Sequence, residues 1–242
     1  MKSKRIRLGV NLDHIAFIKK SRDTLYPSLA DAVKVTEEAG ADLITIHLRE
    51  DRRHINDLDV IKLCKDKKLF INLEISLNTK ILNIALKNKP NFICLVPENR
   101  KEITIEGGLN LSKNKNKIKK IISQFKKKNI RTSLFINPTI KDIKLAKKLD
   151  TDCIELHTGK ISNLVKANKN FYRELVMIKK CCKLASLIGL QVHAGHGLDY
   201  KTTKILKKIK QIEEFNIGHF IIGESIFYGL DKTIKTFKKI IK

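Results

Sequence analysis

The stretch 39–55 reads AGADLITIHLREDRRHI. Gly40 stops an amphipathic run, Ser28–Ala39, that Pro27 introduces, so that run predicts a helix. Leu43–His47 (LITIH) is short, apolar and branched, which predicts a buried strand. Working outward, the same alternation recurs on both sides. Strands are expected at Arg7–Asn11, Leu69–Glu74, Phe92–Val96, Thr132–Ile136, Cys153–Leu156, Leu190–His193 and Phe215–Ile217. Helical runs follow at Asp57–Asp66, Asn78–Leu86, Ser112–Lys128, from Asn137–Pro138 to Leu149, Phe171–Leu187 and Lys201–Lys210. Phe220–Tyr228 reads either as a short helix or as a continuation of the last strand, and the C-terminus is amphipathic. Strands alternating with helices argue for parallel pairing. Eight such units in 242 residues fit a single-domain (β/α)8 TIM barrel with short extra helices spanning 1–242. A doubly wound open sheet is the other arrangement, but no GxGxxG follows the first strand to support it.

Composition narrows the function classes. With 42% hydrophobic and 31% charged residues the chain can bury a core. No stretch approaches the roughly 18 apolar residues of a membrane span. The start, MKSKRIRLGV, does not read as a signal peptide. Five cysteines without a CxxC pair suggest reduced thiols in a cytosolic compartment, and Cys94 and Cys153 inside apolar strands read as packing residues. The formal charge of +25 would attract anions. However, it comes from 41 Lys and only nine Arg, in runs such as KNKNKIKK (113–120), with 6% aromatics and no Trp. A nucleic-acid reader interleaves Arg and aromatics, so most of this Lys is expected on solvated helix faces.

The polar residues carry the functional signal. In an α/β barrel, chemistry sits at the C-terminal ends of the strands. His14, His47, His54, His157, His193, His196 and His219 all fall at or just after predicted strand ends, none in a predicted helix interior. Glu74 and Glu155 share that rim; burial disfavours their charged forms and pushes them toward useful bases. Glu155 with His157 also reads as a structural hydrogen-bonded couple. HLREDRRH (47–54) places three Arg and two His together, which suits phosphate or carboxylate recognition, or else a solvated charged loop. AGHG (194–197) and IGH (217–219) follow strands seven and eight, where barrels often bind phosphate. HxxH at 193–196 offers two zinc-type ligands but no companion carboxylate at ligand spacing, so no metal is expected.

The segments LGVNLDHIA (8–16), AGADLITIHLREDRRHI (39–55), NLE (72–74), CLVPE (94–98), TIEGGL (104–109), IELHTG (154–159), AGHGL (194–198) and NIGHFIIG (216–223) resemble the pyridoxine 5′-phosphate synthase family. The resemblance implies a cofactor-free, cytoplasmic transferase that assembles as a homo-octamer built from dimers, with no nucleic-acid or membrane partner. It implies condensation of 3-amino-2-oxopropyl phosphate with 1-deoxy-D-xylulose 5-phosphate to pyridoxine 5′-phosphate, phosphate and water. By motif, His47 and Glu74 would be proton acceptors, His196 the proton donor, and Glu155 a transition-state stabiliser. Asn11, Arg22, Gly197, Gly218 and His219 would hold the aminoketone phosphate. Asp13, His14, Arg49, His54 and Thr104 would hold the deoxyxylulose phosphate. Asp23, His193 and Glu224 depart from the family pattern, standing where Gly, Asn and Arg respectively are common. A second reading is another sugar-phosphate barrel, but a Schiff-base aldolase would want a Lys at a strand end and none stands there. A third is a basic nucleic-acid-binding protein, which would bind with a steep salt dependence.

Overall fold

The computed structural model describes residues 5–98 and 107–242. These form eight strands: β1 (Arg7–Asn11), β2 (Leu43–Leu48), β3 (Ile71–Ile75), β4 (Phe92–Leu95), β5 (Arg131–Ile136), β6 (Cys153–His157), β7 (Gln191–Gly195) and β8 (Ile212–Ile217). All neighbouring pairs are parallel, and β1 closes on β8, giving a TIM barrel. The helices are α1 (Asp13–Ser21), α2 (Leu29–Glu38), α3 (Asp57–Lys65), α4 (Thr79–Asn88), α5 (Lys115–Lys126), α6 (Ile140–Lys148), α7 (Gly159–Lys166), α8 (Tyr172–Leu187), α9 (Tyr200–Leu206), α10 (His219–Tyr228) and α11 (Leu230–Ile241). Among the described residues no helix is long and apolar enough to cross a membrane.

Local chemistry sets the helix starts. Ser28, Asn56, Asn78, Thr139 and Asp199 each cap a helix by accepting a hydrogen bond from a first-turn backbone N–H. Asn56 and Asp59 complete a reciprocal capping box. On α5 the buried side is Ile118, Ile121, Ile122 and Phe125, and the lysines point outward. The Lys-rich run is thus a solvated helix face.

The strands divide their two faces sharply. Leu8, Val10, Ile44, Ile46, Leu73, Ile75, Ile154 and Leu156 join one continuous core with the helices. The alternating positions turn into the barrel and are mostly small or polar: Gly9, Thr45, Asn72, Ser133, Glu155, His193 and Asn216. Barrel interiors are ordinarily filled by branched apolar residues. Here the mouth of an apolar barrel, expected around Glu74 and Glu155, is instead the top of a polar interior. Cys94, Val96 and Phe135 form a small apolar cluster separate from the main core. All five cysteines are free and buried, and burial raises their thiols, Cys153 to about 12.

Several boundaries differ from those expected: α7 stands where no helix was expected, and β8 begins at Ile212 rather than Phe215. The loop expected after β1 is helix α1, so His14 lies in a first helical turn. Phe220–Tyr228 is helical rather than an extension of β8.

Candidate active site

The C-terminal rim gathers the candidate residues from most of the strands. Asn11 ends β1, and its Oδ1 accepts from the Asp13 backbone N–H at 2.9 Å while its Nδ2 donates to Asp13 Oδ2 at 3.0 Å. Asp13 then reaches β2: its Oδ1 accepts from the His47 N–H at 2.8 Å and lies 3.8 Å from His54 Nδ1. Burial raises Asp13 to about 7, against the pull of these donors and of Arg49.

His47 is buried, and burial holds it well below 6.5, with His54 and Arg49 adding to the effect. It is therefore a neutral imidazole. Its Nε2 has no hydrogen-bond partner among the described residues and lies 3.9 Å from Glu98 Oε2. Arg49 is buried beside Glu98 and Asp51. His54 stacks obliquely 5.9 Å from His47, and burial lowers it to about 4. The charged loop 47–54 is therefore folded over the mouth at His47, Arg49 and His54, and it is not merely solvated.

Glu74 pairs in register with His47 across β2 and β3. It is only partly open to the mouth, and burial, then Glu155, then Asp13 raise it well above the carboxylate range. Glu155 is buried at 2% exposure and raised to about 8 by burial and by Glu214. It accepts from Asn216 Nδ2 at 2.8 Å. No hydrogen bond joins it to His157, so the couple expected between them is absent: strand alternation gives them the same side but the Glu155 oxygen turns to β8.

His157 instead meets His196, with ring centroids 4.9 Å apart, and Phe135 packs edge-on at 5.4 Å. Gly159 makes this pairing fit, because a Cβ there would come within 2.8 Å of His157 and 3.1 Å of His196. His196 has φ +74°, a left-handed conformation rare outside glycine, followed by Gly197 at φ +75°. Thr158 Oγ1 holds it, donating to the Gly195 and His196 carbonyls at 2.7 Å each. Burial lowers His196 and takes His157 to about 4, so both are neutral at rest.

Two helices begin at this rim without a side-chain cap. α7 starts at Gly159 and α10 at His219, directly after Gly218. Uncapped first-turn N–H groups form anion sites. Gly218 lies against the Asn11 side chain, 2.9 Å from its Cβ to a Cβ built at 218, and His219 meets His14 edge-on at 5.2 Å.

Two candidate residues, Arg22 and His193, stand apart. Arg22 is exposed at the end of α1 and does not join the buried group. Thr104 lies outside the described residues. His193 is turned inward onto Glu214, 3.2 Å from its Oε1, so the HxxH pair does not converge. The trio whose ligand atoms do approach, within 4.8 Å, is Asp13, His47 and His54. Of the departures, Asp23 has φ +48°, so the loop keeps a backbone suited to glycine, which Asp tolerates. Glu224 sits on an outer groove with Tyr200, Tyr228 and Lys232, none of them a site residue.

Comparison with known proteins settles the family. The family described as pyridoxal phosphate biosynthesis protein PdxJ matches residues 8–242. This chain belongs to the PdxJ family. A relative from Pelagibacter ubique (strain HTCC1062), a pyridoxine 5′-phosphate synthase, is 63% identical over 234 residues, covering 97% of this chain and 98% of its own. One from Zymomonas mobilis, of the same name, is 45% identical over 239 residues, covering 99% and 93%. A solved 4-hydroxy-2-oxoglutarate aldolase/2-deydro-3-deoxyphosphogluconate aldolase from TTHB1 aligns with TM-score 0.62 at 10% identity, over 99% of this chain and 96% of that one. That likeness concerns the barrel alone.

PdxJ membership makes the chain an enzyme of vitamin B6 synthesis. Within this PdxJ site, the sequence reading assigned no role to Glu98 or Asn216, and it paired His157 with Glu155 rather than with His196. Glu98 was visible only as the end of CLVPE; its side chain is closed off from solvent beside His47 and Arg49. Asn216 was visible as an Asn within a strand run, between Phe215 and Ile217.

Proposed function

We propose that this chain is a pyridoxine 5′-phosphate synthase, condensing 3-amino-2-oxopropyl phosphate with 1-deoxy-D-xylulose 5-phosphate to give pyridoxine 5′-phosphate, phosphate and water. The observation that carries the reading is His47: a neutral, buried imidazole whose Nε2 is unpartnered, in register with a carboxyl at Glu74 that burial has raised. An unsatisfied buried acceptor is costly unless a substrate proton completes it. Joining an amine to a ketone, expelling phosphate and water, and closing a ring each move a proton. His47 and Glu74 accept protons on one side of the mouth. His196, held at a strained backbone position across the mouth, returns one to a leaving oxygen. Glu155, a neutral acid, donates a hydrogen bond to developing negative charge. The α7 and α10 N-termini, with Gly197, Gly218 and His219, take the aminoketone phosphate together with Asn11 and Arg22. Asp13, His14, Arg49, His54 and Thr104 take the second substrate. We read the chain further as a cytoplasmic transferase and a homo-octamer built from dimers, needing no metal or cofactor.

The test is turnover by purified protein with both substrates, after chelation and without added metal. Pyridoxine 5′-phosphate and free phosphate should appear in equal amounts. Glu74→Gln should lower kcat by about 10²–10⁴-fold, the span of a general base. A folded wild-type protein that forms no product, or an unimpaired Glu74→Gln, would overturn the reading.

A further inference from the structure

Asn216 occupies the middle of the barrel and joins three strands. Its Nδ2 donates to Glu155 Oε2 at 2.8 Å and to Glu214 Oε1 at 3.2 Å. Its Oδ1 accepts from Thr45 Oγ1 at 3.1 Å, and Thr45 in turn accepts from Asn72 Nδ2 at 3.4 Å. These partners fix the amide: nitrogen toward the carboxyls, oxygen toward the hydroxyl.

Two glycines leave the space this arrangement needs. A Cβ at Gly9 would stand 2.0 Å from Asn216 Oδ1, and one at Gly195 would stand 2.0 Å from Glu155 Oε1. A side chain at either position would displace one end of the couple.

The deeper end is anchored by charge. Glu214 Oε2 accepts from Arg7 Nε at 2.8 Å, and its Oε1 lies 3.2 Å from His193 Nδ1. Arg7 Nη2 approaches His193 Nε2 at 3.4 Å. A neutral His193 protonated at Nδ1 satisfies both contacts, donating to Glu214 and accepting from Arg7. The guanidinium therefore assigns the buried negative charge to Glu214. Two carboxyls sharing one amide donor cannot both ionise cheaply, so Glu155 remains the neutral partner.

We propose that Asn216 is a positioning residue for the reaction: it ties Glu155 to the anchored Glu214 and fixes the Glu155 carboxyl beside Glu74. The proposal rests on the synthase reading above. Asn216 touches no reacting atom and acts through Glu155. It also gives the His193 departure a role, as the second donor to the anchor.

The test uses the full-length enzyme with Asn216→Leu, similar in size but unable to donate, and Asn216→Asp, which donates only while protonated. Each is confirmed folded by circular dichroism and reversible unfolding. Should Asn216→Leu not fold, Asn216→Ser, too short to reach Glu155, replaces it. The groups facing Glu155 are Glu74 from β3, Cys94 from β4, His193 from β7 and Glu214 from β8, with Arg7 and Arg131 behind the anchor. A pH profile is therefore read only as a difference between variant and wild type. For Asn216→Leu, kcat should fall roughly 10–100-fold, the scale of a misplaced group, while KM for either substrate changes less than threefold. Asn216→Asp should recover activity as pH falls, and Asn216→Leu should not.

The Glu155 carboxyl carbon, observed by ¹³C NMR with labelled glutamate, supplies a readout independent of turnover. Its titration midpoint should move upward in Asn216→Leu, because the lost donor favoured the carboxylate. An unmoved midpoint would overturn the proposal, as would unchanged kcat, a loss confined to KM, or no acid recovery in Asn216→Asp. A wild-type protein without turnover would instead defeat the synthase reading, and the NMR titration would still decide the couple.

Discussion

Replacing Glu155 by Gln should stabilise this protein, increasingly as pH rises from 4.5 to about 8. In the folded chain Glu155 keeps its proton up to about pH 8, whereas its ordinary value is 4.5. Between those limits the folded state binds more protons than the unfolded state, so stability falls as pH rises through the window. From 4.5 to about 8, at ~1.4 kcal/mol per pH unit, the upper bound is about 5 kcal/mol. Glu74 shares part of the same proton affinity, so roughly 2–3 kcal/mol is the working expectation. Gln is neutral at every pH and its amide oxygen can still accept from Asn216. The variant should match wild type at pH 5 and exceed it at pH 9, by roughly 5–10 °C in Tm for a chain of this size. Urea unfolding at half-unit pH steps checks this. A stability difference that does not change between pH 5 and 9 would refute the reasoning, because Glu155 would then be ionised in the folded state throughout. The same variant should be a poorer catalyst, since an amide N–H is a weaker donor to developing negative charge than a neutral carboxyl O–H.

Two further outcomes follow from the same interior. Burial lowers His193 from 6.5 to about 4, so below pH 6.5 the unfolded chain binds the extra proton and stability falls with acid; His193→Asn should flatten that acid limb by about 2 kcal/mol in urea unfolding at pH 4.5 against pH 7. Thr158→Val keeps the side-chain shape but loses both hydrogen bonds to the Gly195 and His196 carbonyls; it should cost roughly 1–2 kcal/mol in unfolding free energy and lower kcat as the φ +74° backbone at His196 relaxes.

The barrel was legible because its signal is repetitive. Leu43–His47 is short, branched and flanked by Gly40, and the same punctuation recurs at each strand, so the strand count and the parallel order followed. The rim histidines were legible because position alone places them: His47 and His196 had only to stand at strand ends. α1 was not, because Asp13 begins its helix two residues after Asn11 ends β1, leaving no loop to mark the start. The polar interior escaped for a different reason. In INLEI only Glu74, at the strand end, marked a site; Asn72 drew no expectation of facing the interior, although it alternates with Leu73 and the period of two was available. Glu214 escaped with it, since β8 begins at Ile212, three residues before the expected Phe215. The contact between Glu155 and Asn216 joins residues 61 apart, and only closure of the barrel brings them together.

The two faces of each strand therefore answer to different demands. Outward residues such as Leu8, Ile46, Leu73 and Phe215 are fully buried against helices and carry the stability. Inward residues give some of that stability up. Asp13, Glu74 and Glu155 are all raised by burial, and His47, His157, His193 and His196 are all lowered by it. Nearly every titratable group in the interior is thus held neutral, acids protonated and bases unprotonated. Glu214 is the exception that makes the pattern workable: burial opposes its charge, but His193 and Arg7 outweigh it and lower it below 4.5. One anchored charge against Arg7 lets the remaining acids and bases wait in opposite neutral states. A set of neutral acids and neutral bases around one mouth can exchange protons with a bound substrate in either direction without first separating charge. A multistep condensation that must both remove and return protons requires that property.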